Sequence, residues 1–311
     1  MAYTNFPQGI TSFGIPVVGS GAIPVTSGSY WWVSSVTGNS GGPGTPDAPY
    51  ATVAQAMAVA AANDVIIVGP SHAENITSAT GLACSVAGVQ VIGLGQGNAR
   101  PNLTFTTANT ATIAVSAANV GFSNMIFTAN FLSIAACFTL STARAFLCNG
   151  CLFQDTSSTL NFLNIVKSTG AANTIDGLTF TNNFVKNLGV TSNNTTILTA
   201  NDVDRLTMIN NDLKWAIQNN VSIGIIVTAG VLTNLDCGYN KGYRPNTTTA
   251  GGSLINVGGT TSTGWVYNNY VQTLTTSTDL LFTTSVGLAA FNNYVTGAVG
   301  ASGFLIPAAD S

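Results

Sequence analysis

Thr181-Asn-Asn-Phe-Val185, Tyr267-Asn-Asn-Tyr-Val271 and Phe291-Asn-Asn-Tyr-Val295 decide how this chain is read. Four further segments align with them: Phe122-Ser-Asn-Met-Ile126, Cys148-Asn-Gly-Cys-Leu152, Ile209-Asn-Asn-Asp-Leu213 and Tyr239-Asn-Lys-Gly-Tyr243. The last position is always large and apolar, and the second is Asn in every segment except that of Phe122. A polar column beside an apolar one is a periodic outside and inside. From Ser123 through Asn149, Asn182, Asn210, Asn240 and Asn268 to Asn292 the intervals are 26, 33, 28, 30, 28 and 24 residues. A fixed unit carrying a variable loop gives this scatter.

Each unit holds short runs of Val, Ile, Phe and Thr separated by Gly, Asn and Ser, for example Ile175 to Thr181 and Thr196 to Leu198. These are strands with turns between them. A leucine-rich repeat needs a tighter leucine pattern, and a propeller blade is longer with four strands. The expected fold is all-β, a right-handed parallel β-helix (solenoid) with one short N-terminal capping helix and an extended N-terminal arm. Coils then stack about 4.8 Å apart with like residues in register. Asn149, Asn182, Asn210, Asn240, Asn268 and Asn292 are expected to form a structural ladder, each amide bonding the next and each tolerating a left-handed turn. A stack of coils penalises columns of like charge, which accounts for a chain of 311 residues with only 6% charged side chains.

Three regions are expected: residues 1–30 as an extended attachment arm, 31–80 as an N-terminal cap with a short helix and first strand, and 81–311 as the coils. The arm is rich in Gly and Pro with isolated apolar residues and cannot form a core of its own. In the cap, Thr52-Val-Ala-Gln55 matches a capping box. Val53, Met57 and Ala60 follow at helical spacing, and Asn63 suits a left-handed helix stop. Val65 to Val68, closed by Gly69-Pro70, reads as a strand buried on both faces.

Two stretches carry a family resemblance. Pro49-Tyr-Ala-Thr-Val-Ala-Gln55, followed by Asn63-Asp-Val-Ile-Ile-Val-Gly-Pro-Ser-His-Ala-Glu74, resembles the opening of pectate-lyase-like right-handed β-helix proteins. Phe6-Pro-Gln-Gly-Ile10 and Phe13-Gly-Ile-Pro-Val-Val-Gly-Ser-Gly21 are similar to the start of β-helix proteins of tailed bacteriophages. The second resemblance implies a structural virion protein, one that decorates or stabilises the head and is assembled in the host cytoplasm. Its partners would be capsid or other virion proteins, reached through Phe6, Phe13, Ile15, Trp31 and Trp32, and it would self-associate, with a trimer as one form that the resemblance implies. The alternative is a tailspike-like glycan-binding or polysaccharide-degrading fibre protein.

Chemistry is sparse. Glycoside hydrolysis needs paired carboxylates, and β-helix lyases need a base with acids around calcium, whereas this chain has eleven acids in all. Asp176 and Asp204 both lie six positions before a repeat Asn and are expected to stack on adjacent coils as the one candidate catalytic pair, with Arg144 and Arg205 sharing the next column. The bland reading is an ion pair of Asp204 with Arg205. His72 suits a hydrogen-bonded turn better than a general base. Trp31, Trp32, Trp215, Trp265, Tyr239, Tyr243, Tyr267, Tyr270 and Tyr294 are either a sugar-stacking strip or core and ladder residues, and the second is the commoner use. No enzyme activity, cofactor or metal is expected.

A net charge of −3 from eight basic and eleven acidic residues speaks against nucleic acid and membrane as partners. No apolar run reaches the roughly 20 residues of a membrane span. Cys84, Cys137, Cys148, Cys151 and Cys237 are an odd number, too sparse for a disulfide framework, and are expected to be free and buried.

Overall fold

The computed structural model describes residues 26–189, 195–215, 224–228, 230–244, 255–257, 261–273 and 287–296, together with short strands at Thr11–Ser12, Ile15–Pro16 and Gly303–Phe304. The chain winds as a parallel β-solenoid. Its first sheet has ten strands in chain order, from Tyr30–Val33 and Val65–Val68 to Thr263–Tyr267 and Gly287–Phe291, all parallel. The second also has ten, nine parallel strands from Ala73–Ile76 to Tyr294–Thr296 and Gly303–Phe304 added antiparallel at its end. A third, of seven parallel strands, runs from Leu82–Cys84 to Ile255–Val257. Parallel pairing across whole coils places identical pattern positions over one another, so one inward residue type propagates along the axis.

That axis is filled by aromatic rings. Phe127 stacks on Phe153 at 5.1 Å, and Phe153 on Phe180 at 5.7 Å. Phe122, Phe138 and Phe146 close in from the other walls. All six are at most 1% exposed, and each is worth about 2 kcal/mol of transfer free energy. The five cysteines are free and buried. Burial pushes the Cys84 and Cys237 thiols up to about 12, and Cys148 and Cys151 are both at most 1% exposed, packed within the core.

Helix α1 (Val53–Val59) turns Val53, Ala56 and Met57 into the first coil. The expected capping box is present: Thr52 Oγ1 accepts from the Gln55 N–H, and the Gln55 side chain accepts from the Thr52 N–H. The helix stops at Val59, with extended Ala60 as its C-cap. Asn63 is left-handed as expected, at φ 66°, but in the following turn. The Val65–Val68 strand is buried at all four positions. The free edge of Tyr30–Val33 is closed by the 38–50 loop, which exchanges Trp32 N–H to Gly44 O and Tyr50 N–H to Trp32 O, both at 2.8 Å. Covering an edge strand in this way removes a template for aggregation.

The asparagine ladder exists, one residue further along than expected. Strand register puts Ser123, Asn149, Thr181, Ile209, Gly238, Tyr267 and Phe291 in one column. The next position is the corner between the first and second sheets, where Asn124, Gly150, Asn182, Asn210, Tyr239, Asn268 and Asn292 all have φ between 51° and 65°. Asn is favoured there because its short polar side chain tolerates that region. The position after it turns inward. There Asn183, Asn211, Asn240, Asn269 and Asn293 are at most 2% exposed, and each Oδ1 accepts the backbone N–H of the residue one coil before at 2.8 to 3.0 Å. Each Nδ2 donates to a carbonyl of that earlier coil.

The expected column of Asn149, Asn182, Asn210, Asn240, Asn268 and Asn292 therefore spans three real ones. Asn240 belongs to the buried ladder, Asn149 to the strand end, and the other four to the corner. Asn149, Asn182 and Asn210 still bond to one another, Nδ2 to Oδ1 at 2.7 Å, as a shorter outer ladder. Two consecutive polar positions hide a one-residue slip that the side-chain alternation of a strand would otherwise reveal.

Candidate functional site

The outward face of the first sheet changes character along the axis. In the middle coils its two outward columns hold Leu147, Thr179 and Thr207, and Asn149, Thr181 and Ile209. Over the last three coils they hold Asp236, Trp265 and Ala289, and Gly238, Tyr267 and Phe291. Strand alternation sends Val266 into the core and leaves Trp265 and Tyr267 outside. Trp265 is 62% exposed, Tyr239 at the corner 53% and Phe291 37%. Aromatic side chains this open are not core residues, so the core half of the sequence expectation is corrected here, while ring contacts between neighbouring coils bear out the ladder half.

These residues bound a groove of about 820 Å³, completed by Asn234, Thr263, Gly264 and Asn268. Its floor is fixed by close contact. Tyr267 stacks on Phe291 at 5.3 Å with an 11° interplanar angle, Tyr239 meets Tyr267 edge-on at 5.4 Å, and Trp265 meets Phe291 edge-on at 6.0 Å. Gly238 makes room for the Tyr267 ring, since a Cβ there would lie 2.5 Å from it. Gly264 has φ 135°, and a Cβ on it would lie 2.3 Å from the Leu235 backbone, so only glycine serves. Burial first, and the neighbouring Asp236 carboxylate second, push the Tyr267 phenol up to about 12. A partly apolar cleft with a few convergent polar groups is the usual form of a ligand site.

Asp176 and Asp204 do stack on adjacent coils. The Asp204 N–H donates to Asp176 Oδ1 at 2.9 Å, and Asp176 Oδ2 lies 3.6 Å from Arg144. Asp204 Oδ1 accepts from Thr233 Oγ1 at 2.8 Å and Asn234 Nδ2 at 2.7 Å, while Oδ2 lies 3.4 Å from Arg205. Bonds from Asn234 and Thr233 hold the Asp204 carboxyl below the usual range. Both carboxylates are thus engaged in joining coils. Arg144 stands in the Asp176 column and Arg205 one position later, over Ala145 and Gly177, so the two arginines do not share a column. Asn234 links Asp204 to the aromatic groove, where Asp236 is the one carboxylate among the described lining residues.

His72 is a turn residue with its ring satisfied: Nδ1 accepts from the Ser35 N–H at 2.9 Å, and Nε2 donates to Glu74 at 3.1 Å. Glu74 in turn accepts the Val53 N–H at the start of α1, at 2.7 Å. Trp31 donates through Nε1 to Asp64 and packs on Tyr50. Trp32 packs with Val65, Ile67 and Ile92 on the outer face of the first sheet. Both tryptophans are half-buried. Trp215 is buried. Phe6 and Phe13 lie outside the described residues, and Ile15 is described only as part of the short antiparallel pairing Thr11–Ser12 with Ile15–Pro16. Among the described residues no three His, Cys, Asp or Glu side chains gather as they would around a metal ion. Sequence reasoning passed over Asp236, Asn234 and Phe291. Phe291 could have been found, because it occupies the same place as Tyr267 in the aligned repeat.

No protein-family model matches the chain, and no curated protein matches it. Among solved structures it is similar to a GH136 lacto-N-biosidase from Eubacterium ramulus at 9% identity and a TM-score of 0.37, over 86% of this chain and 67% of that one. It is also similar to a rhamnogalacturonan lyase at 12% identity and a TM-score of 0.34, over 90% of each chain. Both are enzymes by name, against the expectation of no enzyme activity. At these scores the likeness assigns neither a reaction nor a site.

Proposed function

We propose that this protein binds a glycan in the groove of Asp236, Tyr239, Trp265, Tyr267 and Phe291, as a glycan-binding or polysaccharide-degrading β-helix protein. The observation that carries this reading is the set of exposed aromatic rings that the last coils gather in one groove beside a carboxylate and two amides. Aromatic faces take the C–H faces of sugar rings, and Asp236, Asn234 and Asn268 offer hydrogen bonds to hydroxyls. If the glycan is cleaved, Asp236 is positioned to exchange a proton with it. A virion setting, drawn from the sequence of the arm, is compatible with this function and is not needed for it.

Affinity electrophoresis of the whole protein in a panel of polysaccharides tests the proposal. Trp265→Ala should weaken binding about tenfold, the loss of about 1.4 kcal/mol, while the melting temperature stays close to that of the parent. Asp236→Asn should retain binding and abolish release of reducing ends if the groove is catalytic. Parent and Trp265→Ala migrating identically in every polysaccharide would sink the reading and return the rings to a role in coil stacking.

A further inference from the structure

Lysine is scarce in this chain and unevenly placed. Of four lysines, Lys186, Lys214 and Lys241 are exposed on the outward face of the second sheet, on three consecutive coils. Lys186 and Lys214 are direct register partners. Lys241 sits opposite Asp212, diagonal to Lys214. Like charges directly across a ladder are unfavourable, and elsewhere the cations of this chain are placed differently: Arg144 stands beside Asp176 and Arg205 beside Asp204. Asp212 lies 3.7 Å from Lys214 Nζ, which also sits 4.8 Å over the Phe184 ring. Among the described residues Lys186 and Lys241 have no ion-pair partner. The same face carries exposed Tyr243, and the Lys241 column continues through Tyr270 and Tyr294.

We propose that this face is a second binding site, for a polyuronate lying along the solenoid axis, its carboxylates answered by Lys186, Lys214 and Lys241. The unfavourable pairing of Lys186 with Lys214 is relieved when an anionic chain runs between them, and the tyrosines beyond supply stacking surface. Nucleic acid fits less well. Its backbone carries a charge about every 3.4 Å per strand, and Asp212 stands inside the strip, where closely spaced phosphates would meet it. The face is separate from the aromatic groove, whose described lining holds Asp236 and neither lysine nor arginine.

The test is affinity electrophoresis of the full chain in polygalacturonate, in dextran and with single-stranded DNA, at about 20 and 300 mM NaCl. Retardation in polygalacturonate at low salt, lost at high salt, is expected. Lys186→Gln with Lys214→Gln should weaken it at least tenfold and leave the melting temperature close to that of the parent, because a repulsive pair and the exposed Lys214–Asp212 pair are removed together. Trp265→Ala should leave it intact, which separates this site from the groove. Absence of retardation at low salt, equal retardation in dextran, a double variant that migrates as the parent, or tighter binding of single-stranded DNA would each overturn the proposal.

Discussion

At Asp155 both carboxyl oxygens accept backbone N–H groups, from Phe162 at 3.0 Å and Leu188 at 2.8 Å. Burial nevertheless pushes this carboxyl up to about 7, against the lowering effect of the N–H groups of Phe162, Leu188 and Gly189. Asp64 goes the other way: burial opposes its charge, but donors on Ala61, Trp31 and Ser29 together hold it below the usual range. The signs are opposite in consequence. Asp64 contributes stability that is present above its unfolded value of 3.8 and lost as pH falls further. Asp155 binds a proton in the folded state that the unfolded chain releases, so its contribution is present below about pH 4 and is lost as pH rises through 7. The full loss is about 4 kcal/mol. Denaturant midpoints measured between pH 4.5 and 8 should therefore fall with pH in the parent and stay flat in Asp155→Asn. A slope retained in the variant would assign it to other groups.

The two asparagine columns differ as elements although they are neighbours in sequence. An inner Asn joins coils through backbone and side chain together, so Asn240→Ala would strand the Asn211 N–H in the core and remove one of the two bonds its amide donates. That should cost about 2 to 4 kcal/mol. Asn210→Ala removes one exposed amide bond and a left-handed preference, and about 1 kcal/mol is expected. Urea unfolding of the two variants distinguishes them, and equal losses would refute the inner ladder as a load on stability. The α1 cap behaves likewise: Thr52→Ala should cost about 1 kcal/mol, with Glu74 still holding the Val53 N–H.

For the molecule as a whole, cohesion comes from stacked apolar rings and amide ladders, and the few ion pairs among described residues are mostly exposed. Exposed pairs contribute about 0 to 1 kcal/mol and are screened by salt. Thermal unfolding should thus shift by no more than about 3 °C between 0.05 and 1 M NaCl. A larger drop would show that charge carries part of the fold. The same architecture explains how one molecule presents two unlike surfaces. Each sheet repeats its columns along the axis, so a change of residue type at a late coil creates a strip rather than a point.

The sequence by itself determined the solenoid, because periodic Asn beside periodic apolar residues can be satisfied only when coils repeat in register. It also determined the α1 cap at Thr52 and Gln55, the buried Val65–Val68 strand and the buried thiols, since each depends on neighbours in the chain or on hydrophobicity alone. Tertiary structure decided which of two adjacent asparagines is inside, because register shifts of one residue leave the Asn-Asn pattern unchanged. It alone decided that Trp215 is core while Trp265 is surface, that Asp204 is held by Thr233 and Asn234, and that Lys186 faces Lys214. Those are contacts between residues about one coil apart, set by loop lengths that vary from unit to unit, and no local pattern encodes them.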